Sequence, residues 1–151
     1  MPRTKLTANF FLDEFLVSDT GVKFGIANTP EPKHLKTITE LLAPGLEKAR
    51  TILENRAIVI TSAYRNPRIN KIVGGTATSA HPHGFAADLR VAGLTHFEVA
   101  RILAGSKLKF DQLILEISRN IVHLSFDPRL RMQVKTQAKG AETQIVDGLP
   151  D

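Results

Sequence analysis

Phe110-Asp111-Gln112-Leu113-Ile114-Leu115-Glu116-Ile117, then Ser118-Arg119-Asn120, then Ile121-Val122-His123-Leu124-Ser125-Phe126 is the stretch whose reading decides the fold. Two apolar runs of strand length flank three turn-forming residues, and asparagine tolerates the left-handed backbone that a tight hairpin needs. A two-residue loop at Arg119 and Asn120 predicts that Glu116 lies directly opposite His123. Opposed residues share a face of the sheet, with Cβ atoms about 5 Å apart. A slip of one residue would turn one of the two away.

The next strand back is Ala86-Ala87-Asp88-Leu89-Arg90-Val91, in which Asp88 shares a face with Ala86 and Arg90. His81 stands on the preceding loop, and Gly84 lets the backbone turn so that the imidazole can meet the Asp88 carboxylate. His81, Asp88 and His123, with Glu116 beside them, are the parts of a catalytic zinc site: three protein ligands, one open position and an acid to act on water there. Taken singly, each has a plainer reading. His81 and Asp88 could be surface groups, Glu116 an ordinary strand residue and His123 a core histidine.

The rest of the chain predicts one α+β domain over residues 1–151, small, with a central antiparallel sheet flanked by helices. Residues 10–15 suggest a short amphipathic helix, and residues 20–32 are turn-rich, with Gly21, Gly25, Pro30 and Pro32. Residues 33–55 carry apolar side chains at helical spacing, with Pro44 and Gly45 marking a kink or a break. Residues 57–62 read as a β-branched strand, and 66–78 as a loop with a helical turn near 68–73. Residues 95–104 read as a helix with Thr95 capping and Glu98 at the capping-box position. Residues 132–136 and 143–146 predict a last hairpin around Lys139 and Gly140.

Composition narrows the function. The 151 residues include no cysteine, so any metal is held by nitrogen and oxygen donors and no disulfide forms. A net charge of +5 favours an anionic partner, whether nucleic acid, anionic lipid or bacterial envelope. No nucleic-acid-binding motif or aromatic-rich basic face is present, which argues against the first. No apolar run is long enough to span a membrane, and no Gly-x-Ser-x-Gly elbow offers a serine nucleophile. The first residues, with Arg3 and Lys5 but no apolar core segment, do not read as a signal peptide.

The run Ser79-Ala80-His81-Pro82-His83-Gly84-Phe85-Ala86-Ala87-Asp88, of the form S-x-H-x-x-G-x-A-x-D, resembles the zinc D,D-peptidase and hedgehog-type family, and within it the phage endolysin-like branch of peptidoglycan peptidases. The likeness extends to Asn9-Phe10-Phe11-Leu12-Asp13-Glu14-Phe15 with Ser18, to Ile58-Val59-Ile60-Thr61-Ser62-Ala63-Tyr64-Arg65, to Asn70 and Val73-Gly74-Gly75, and to the strands at 110–116, 122–125 and 131–134. The resemblance implies that His81, Asp88 and His123 bind Zn2+ and that Glu116 is the catalytic acid/base. It also implies that Arg65 approaches the substrate, where a guanidinium could neutralise an oxyanion or grip a carboxylate; the plainer alternative is a surface arginine. Ser79 could bond a substrate carbonyl or cap the ligand loop. The tryptophan usual beside the family's last histidine is replaced by Ile121-Val122, a packing substitution. Tyr64 reads as core, His83 as a neighbour of the metal rather than a ligand, and His34 and His96 as solvent-facing helix residues.

The implied chemistry is metal-assisted amide hydrolysis in a peptide stem or cross-link of bacterial peptidoglycan. The expectation is a monomer, with no nucleic-acid partner and no stable membrane insertion. The resemblance also implies a protein made in the host cytoplasm that reaches the wall after release, or one carried on a virion. Two other classes remain: a hedgehog-like zinc-holding domain that does not hydrolyse, and a basic envelope- or nucleic-acid-binding protein.

Overall fold

Short runs rich in apolar and β-branched residues give β1 (Ile58–Ser62), β2 (Ala86–Val91), β3 (Gln112–Glu116), β4 (Ile121–Ser125), β5 (Gln133–Gln137) and β6 (Ile145–Asp147). The computed structural model describes residues 2–138 and 145–151, and in it these strands form one sheet in the order β1-β2-β4-β3-β5-β6. The domain is small and α+β, as expected, but the sheet is not wholly antiparallel: β3 and β5 run parallel. The chain leaves β4 at Ser125, passes the start of β3 and re-enters the sheet with Gln133 beside Gln112. Asp111 anchors this crossing, because its carboxylate accepts hydrogen bonds from the Arg131 backbone N, Nε and Nη2 at 3.0, 2.9 and 2.8 Å. β6 pairs antiparallel with β5, as the last hairpin requires; Lys139, Gly140 and Thr143 lie outside the described residues.

One face of the sheet is apolar. Ile60, Leu89, Val122, Leu124, Leu113 and Leu115 join the main core cluster, which also holds Leu46, Ala49, Val99 and Leu103 from the helices. Each such side chain contributes about 1.5–3 kcal/mol when fully buried. The opposite face carries Asp88, His123 and Glu116, so the helices cover one side and leave the polar side for chemistry.

Among the described residues are five α-helices: α1 (Asp19–Phe24), α2 (Pro32–Thr37), α3 (Ala43–Ile52), α4 (Pro67–Ile72) and α5 (His96–Ala104). The segment 10–15 yields only a 3-10 turn, Leu12–Phe15. The turn-rich reading of 20–32 is corrected by α1, which Ser18 caps by accepting from Gly21 N at 2.9 Å and Gly25 ends at φ 65°. Pro44 neither breaks the helix nor ends it. Proline lacks an N–H and crowds the carbonyl four residues back; just before it the helix widens to a π segment, Ile38–Leu42, in which Ala43 N–H bonds Ile38 O. α2, the π segment and α3 are therefore contiguous. Gly45 follows for a different reason: a Cβ there would lie 2.6 Å from the Phe126 ring, so only glycine lets α3 approach this closely. The α5 capping box forms as its sequence predicts, with Thr95 and Glu98 exchanging hydrogen bonds at 3.1 Å.

Candidate metal centre

Asp88 and His123 face each other directly across β2 and β4. His81 reaches them from a 3-10 turn, His81–His83, which Gly84 ends at φ 79°. All three side chains are buried, and the atoms they offer lie within 4.8 Å of one another. His81 Nδ1 sits 2.6 Å from Ala63 O. A carbonyl only accepts, so Nδ1 carries the proton and Nε2 points its lone pair into the cluster.

That lone pair is 3.2 Å from Asp88 Oδ1, and His123 Nδ1 is 3.1 Å from the same oxygen. Burial pushes the His81 pKa below its ordinary value, although Asp88 opposes the shift. Burial also works against ionisation of Asp88, but the two imidazoles more than offset it and hold the carboxyl well below the usual range. An imidazole nitrogen this close to a buried carboxylate oxygen needs a proton or a metal cation between the two. Asp88 Oδ2 has no hydrogen-bond partner either. Ligands about 2.0–2.2 Å from a tetrahedral ion are separated by roughly 3.3–3.5 Å, close to the spacings here. The donor set therefore fits a divalent ion such as zinc, with His81 Nε2, Asp88 and His123 Nδ1 able to hold it.

Glu116 does not stand opposite His123. It pairs with Ile121, and His123 pairs with Ile114. The turn occupies residues 117–120 rather than two residues, closed by Asn120 N to Ile117 O at 3.3 Å with Asn120 at φ 55°. Ile117 packs against the core instead of extending the strand. The shift is two positions, so Glu116 keeps the face of His123 and stands diagonal to it, a separation of about 7–8 Å between backbones. Glu116 is buried, and burial followed by the Asp88 charge raises its pKa, with Arg119 and His123 pulling the other way.

Arg119 is the residue that the sequence reading passed over as turn material. Its Nη1 donates to Glu116 Oε1 at 3.1 Å, and its Nη2 lies 3.6 Å from Asp88 Oδ2. Arg90 fixes the turn from the neighbouring strand by donating to the carbonyls of Asn120 and Arg119 at 3.0 and 3.3 Å. The signal available in the sequence was the three-residue spacing from Glu116 to Arg119 across a tight turn. Because Arg119 lowers the Glu116 pKa, Arg119→Gln is expected to move the acid limb of the kcat/KM profile to higher pH. A pH–rate series on both proteins checks this, and an unmoved limb would detach Arg119 from the carboxylate.

The remaining residues divide. Arg65 is buried, not a surface arginine; its Nε has no partner, and its charge interacts with Asp88, Arg119 and Glu116. Ser79 Oγ accepts from His81 N at 3.3 Å, so it caps the ligand loop. Tyr64 is core. His83 is exposed, outside the ligand group. His34 and His96 are only half-exposed: His34 lies against Tyr64, its ring centroid 5.2 Å away, and His96 rests on Phe97 at 4.5 Å.

A buried His-Asp-His group with a raised-pKa carboxyl on the same sheet face has the chemistry of a metal-dependent hydrolase. The family model of Peptidase M15 matches residues 8–125, which include all three candidate ligands, Arg65 and Glu116. The chain belongs to the Peptidase M15 family and is a metallopeptidase. Comparison with curated proteins finds no match.

Proposed function

We propose that this chain is a zinc-dependent peptidoglycan peptidase that cuts an amide bond in the peptide stem or cross-link. The observation that carries the reading is the convergence of His81, Asp88 and His123 with Glu116 one step along the same face. His81 Nε2, Asp88 and His123 Nδ1 would hold the ion. Zinc in such a site supplies a Lewis acid and makes water nucleophilic near neutral pH. Glu116 takes a proton from the attacking water and returns it to the departing amine, a task that suits a carboxyl with a raised pKa. Arg119 orients that carboxylate through its 3.1 Å hydrogen bond. Arg65, buried nearby with Nε unpaired, meets the negative charge that develops on the scissile carbonyl oxygen. Ser79 fixes the ligand loop and faces the substrate from its rim.

Strand register supports cleavage of an internal bond. On the face that carries Asp88, Asp88, His123 and Ile114 form one row, Ala86, Ser125 and Gln112 the row on one side, and Arg90, Ile121 and Glu116 the row on the other. A cavity of about 370 Å3 borders Gln112, and one of about 670 Å3 borders Arg90 and Ile121. Substrate thus has room on both sides of the row that bears the ligands.

The peptidoglycan substrate rests on the likeness of the 79–88 run to the endolysin-like branch, and on a net charge of +5 that is attracted to an anionic wall. The setting proposed is phage lysis, with a monomer acting on the wall after release or from a virion. Among the described residues no helix is long and apolar enough to cross a membrane. Mass spectrometry of fragments released from purified peptidoglycan by the zinc-loaded protein tests the proposal. A single kind of new peptide terminus is expected and would name the bond; intact stems and cross-links after long digestion would leave a zinc-holding domain without hydrolysis.

A further inference from the structure

The cavity of about 370 Å3 at the Gln112 end is lined by Ser79 and His83 from the ligand loop and by Arg129 and Arg131 from the segment that joins β4 to β5. We infer that this cavity is a carboxylate-binding subsite, in which Arg129 and Arg131 hold an anionic group of the substrate beside the scissile bond. The inference deepens the proposed function, resting on the reading of the sheet face that carries Asp88 as the substrate-binding face.

Charge and exposure carry the argument. Each arginine is fixed by an aspartate: Asp127 accepts from Arg129 Nε and Nη2 at 3.1 and 2.8 Å, and Asp111 accepts from Arg131 Nε and Nη2 at 2.9 and 2.8 Å. The aspartate side chains are 16% and 2% exposed, whereas the arginines are 61% and 35% exposed. Asp111 and Asp127 line the cavity too, but their oxygens are engaged by Nε and Nη2, so the donors left for a ligand are the two Nη1 groups. Guanidinium groups already held in one orientation lose little freedom when they take up a second carboxylate, and their planar fork matches its geometry. The backbone is committed as well. Leu130 and Met132 flank Arg131 at φ 43° and 57°, a left-handed conformation uncommon outside glycine that persists only where the surroundings impose it.

Two parts of a peptide stem present this chemistry: the α-carboxylate of a γ-linked D-glutamate and the C-terminal carboxylate of D-alanine. Calorimetric binding to the zinc-loaded Glu116→Gln protein separates them. The probes are L-Ala-γ-D-Glu-L-Lys with the glutamyl α-carboxylate free or amidated, and L-Lys-D-Ala-D-Ala with its C-terminus free or amidated. In one pair the acid is expected to bind about tenfold more tightly than the amide, the scale of a hydrogen bond to a charged group. That ratio is expected to fall towards one in Arg129→Gln and in Arg131→Gln. Arg129 is exposed and its substitution leaves the Asp111 anchor in place, so the test stands even where the Arg131 variant folds poorly. Equal binding of acid and amide in both pairs overturns the inference, as does no binding by either acid at millimolar peptide. A preference that survives both arginine changes also overturns it, since the carboxylate would then be held elsewhere, on the ion for example. An acid preference that depends on the arginines, found together with intact peptidoglycan in the digest, would sink the hydrolase reading while leaving the subsite.

Discussion

Glu116→Gln is expected to lower kcat by about 10²–10⁴-fold, the usual contribution of a positioned general base, with zinc content unchanged. Glutamine matches the shape of glutamate, and its carbonyl can still accept from Arg119 Nη1, so the turn at 117–120 and the strand pairing persist. What is lost is the ability to take up a proton. Stability should move the other way. A carboxyl whose pKa is raised by folding destabilises the native state at neutral pH, because it is ionised more easily in the unfolded chain. The amide removes that cost, so the melting temperature is expected to hold or rise while turnover collapses. Steady-state kinetics on a cleaved stem peptide, with metal analysis and calorimetry on the same preparation, check all three. Turnover within a few-fold of the unmodified chain would mean that another group moves the proton.

The second large effect concerns the ion. Zinc at about a thousandfold excess over its dissociation constant stabilises a protein that binds it only when folded by about 4 kcal/mol. For a domain of this size that corresponds to roughly 8–16 °C in melting temperature, at about 2–4 °C per kcal/mol. Asp88→Ala is expected to abolish this gain. Asp88 contacts both imidazoles, at 3.2 and 3.1 Å, and without it two nitrogen donors remain. Scanning calorimetry with zinc and with a chelator gives the answer: a chain that melts at one temperature in both conditions does not bind the ion through this group.

The convergence of His81, Asp88 and His123 is legible in the sequence because most of its geometry is local. His81 and Asp88 come from one segment turning on Gly84, and Asp88 lies on a strand whose bounds follow from its composition. The third ligand needed a long-range pairing, yet only the face had to be right. The expected Glu116–His123 pairing missed by two positions, and an even slip keeps every side chain on its side. Ile117 caused the miss: its apolar side chain looks like strand but packs beside the core from within the turn. α1 was hidden by Gly21 and Gly25, which read as loop. Gly25 is in truth the left-handed end of the helix, and Gly21 is there because a Cβ would lie 2.8 Å from Ile26 O. The parallel β3–β5 pairing leaves no periodic trace in either strand, since it depends on how residues 126–132 cross the sheet end. Arg119 reads as a connector in sequence, because its reach to Glu116 and Asp88 depends on how the turn folds.

Two hydrogen bonds join the end of β1 to His81: Nδ1 to Ala63 O, and Arg65 N to His81 O at 3.4 Å. They stitch together the base of the excursion formed by residues 66–80, so the ligand is fastened below the loop rather than by it. Loops closed at the base tolerate insertion, deletion and nicking at their tips far better than loops that carry their own anchor. Much of 71–78 is exposed, and residues 77–80 border the cavity that Arg129 and Arg131 also line. Changes in the exposed part of 66–80 can therefore reshape that cavity while the His81, Asp88 and His123 group stays as it is.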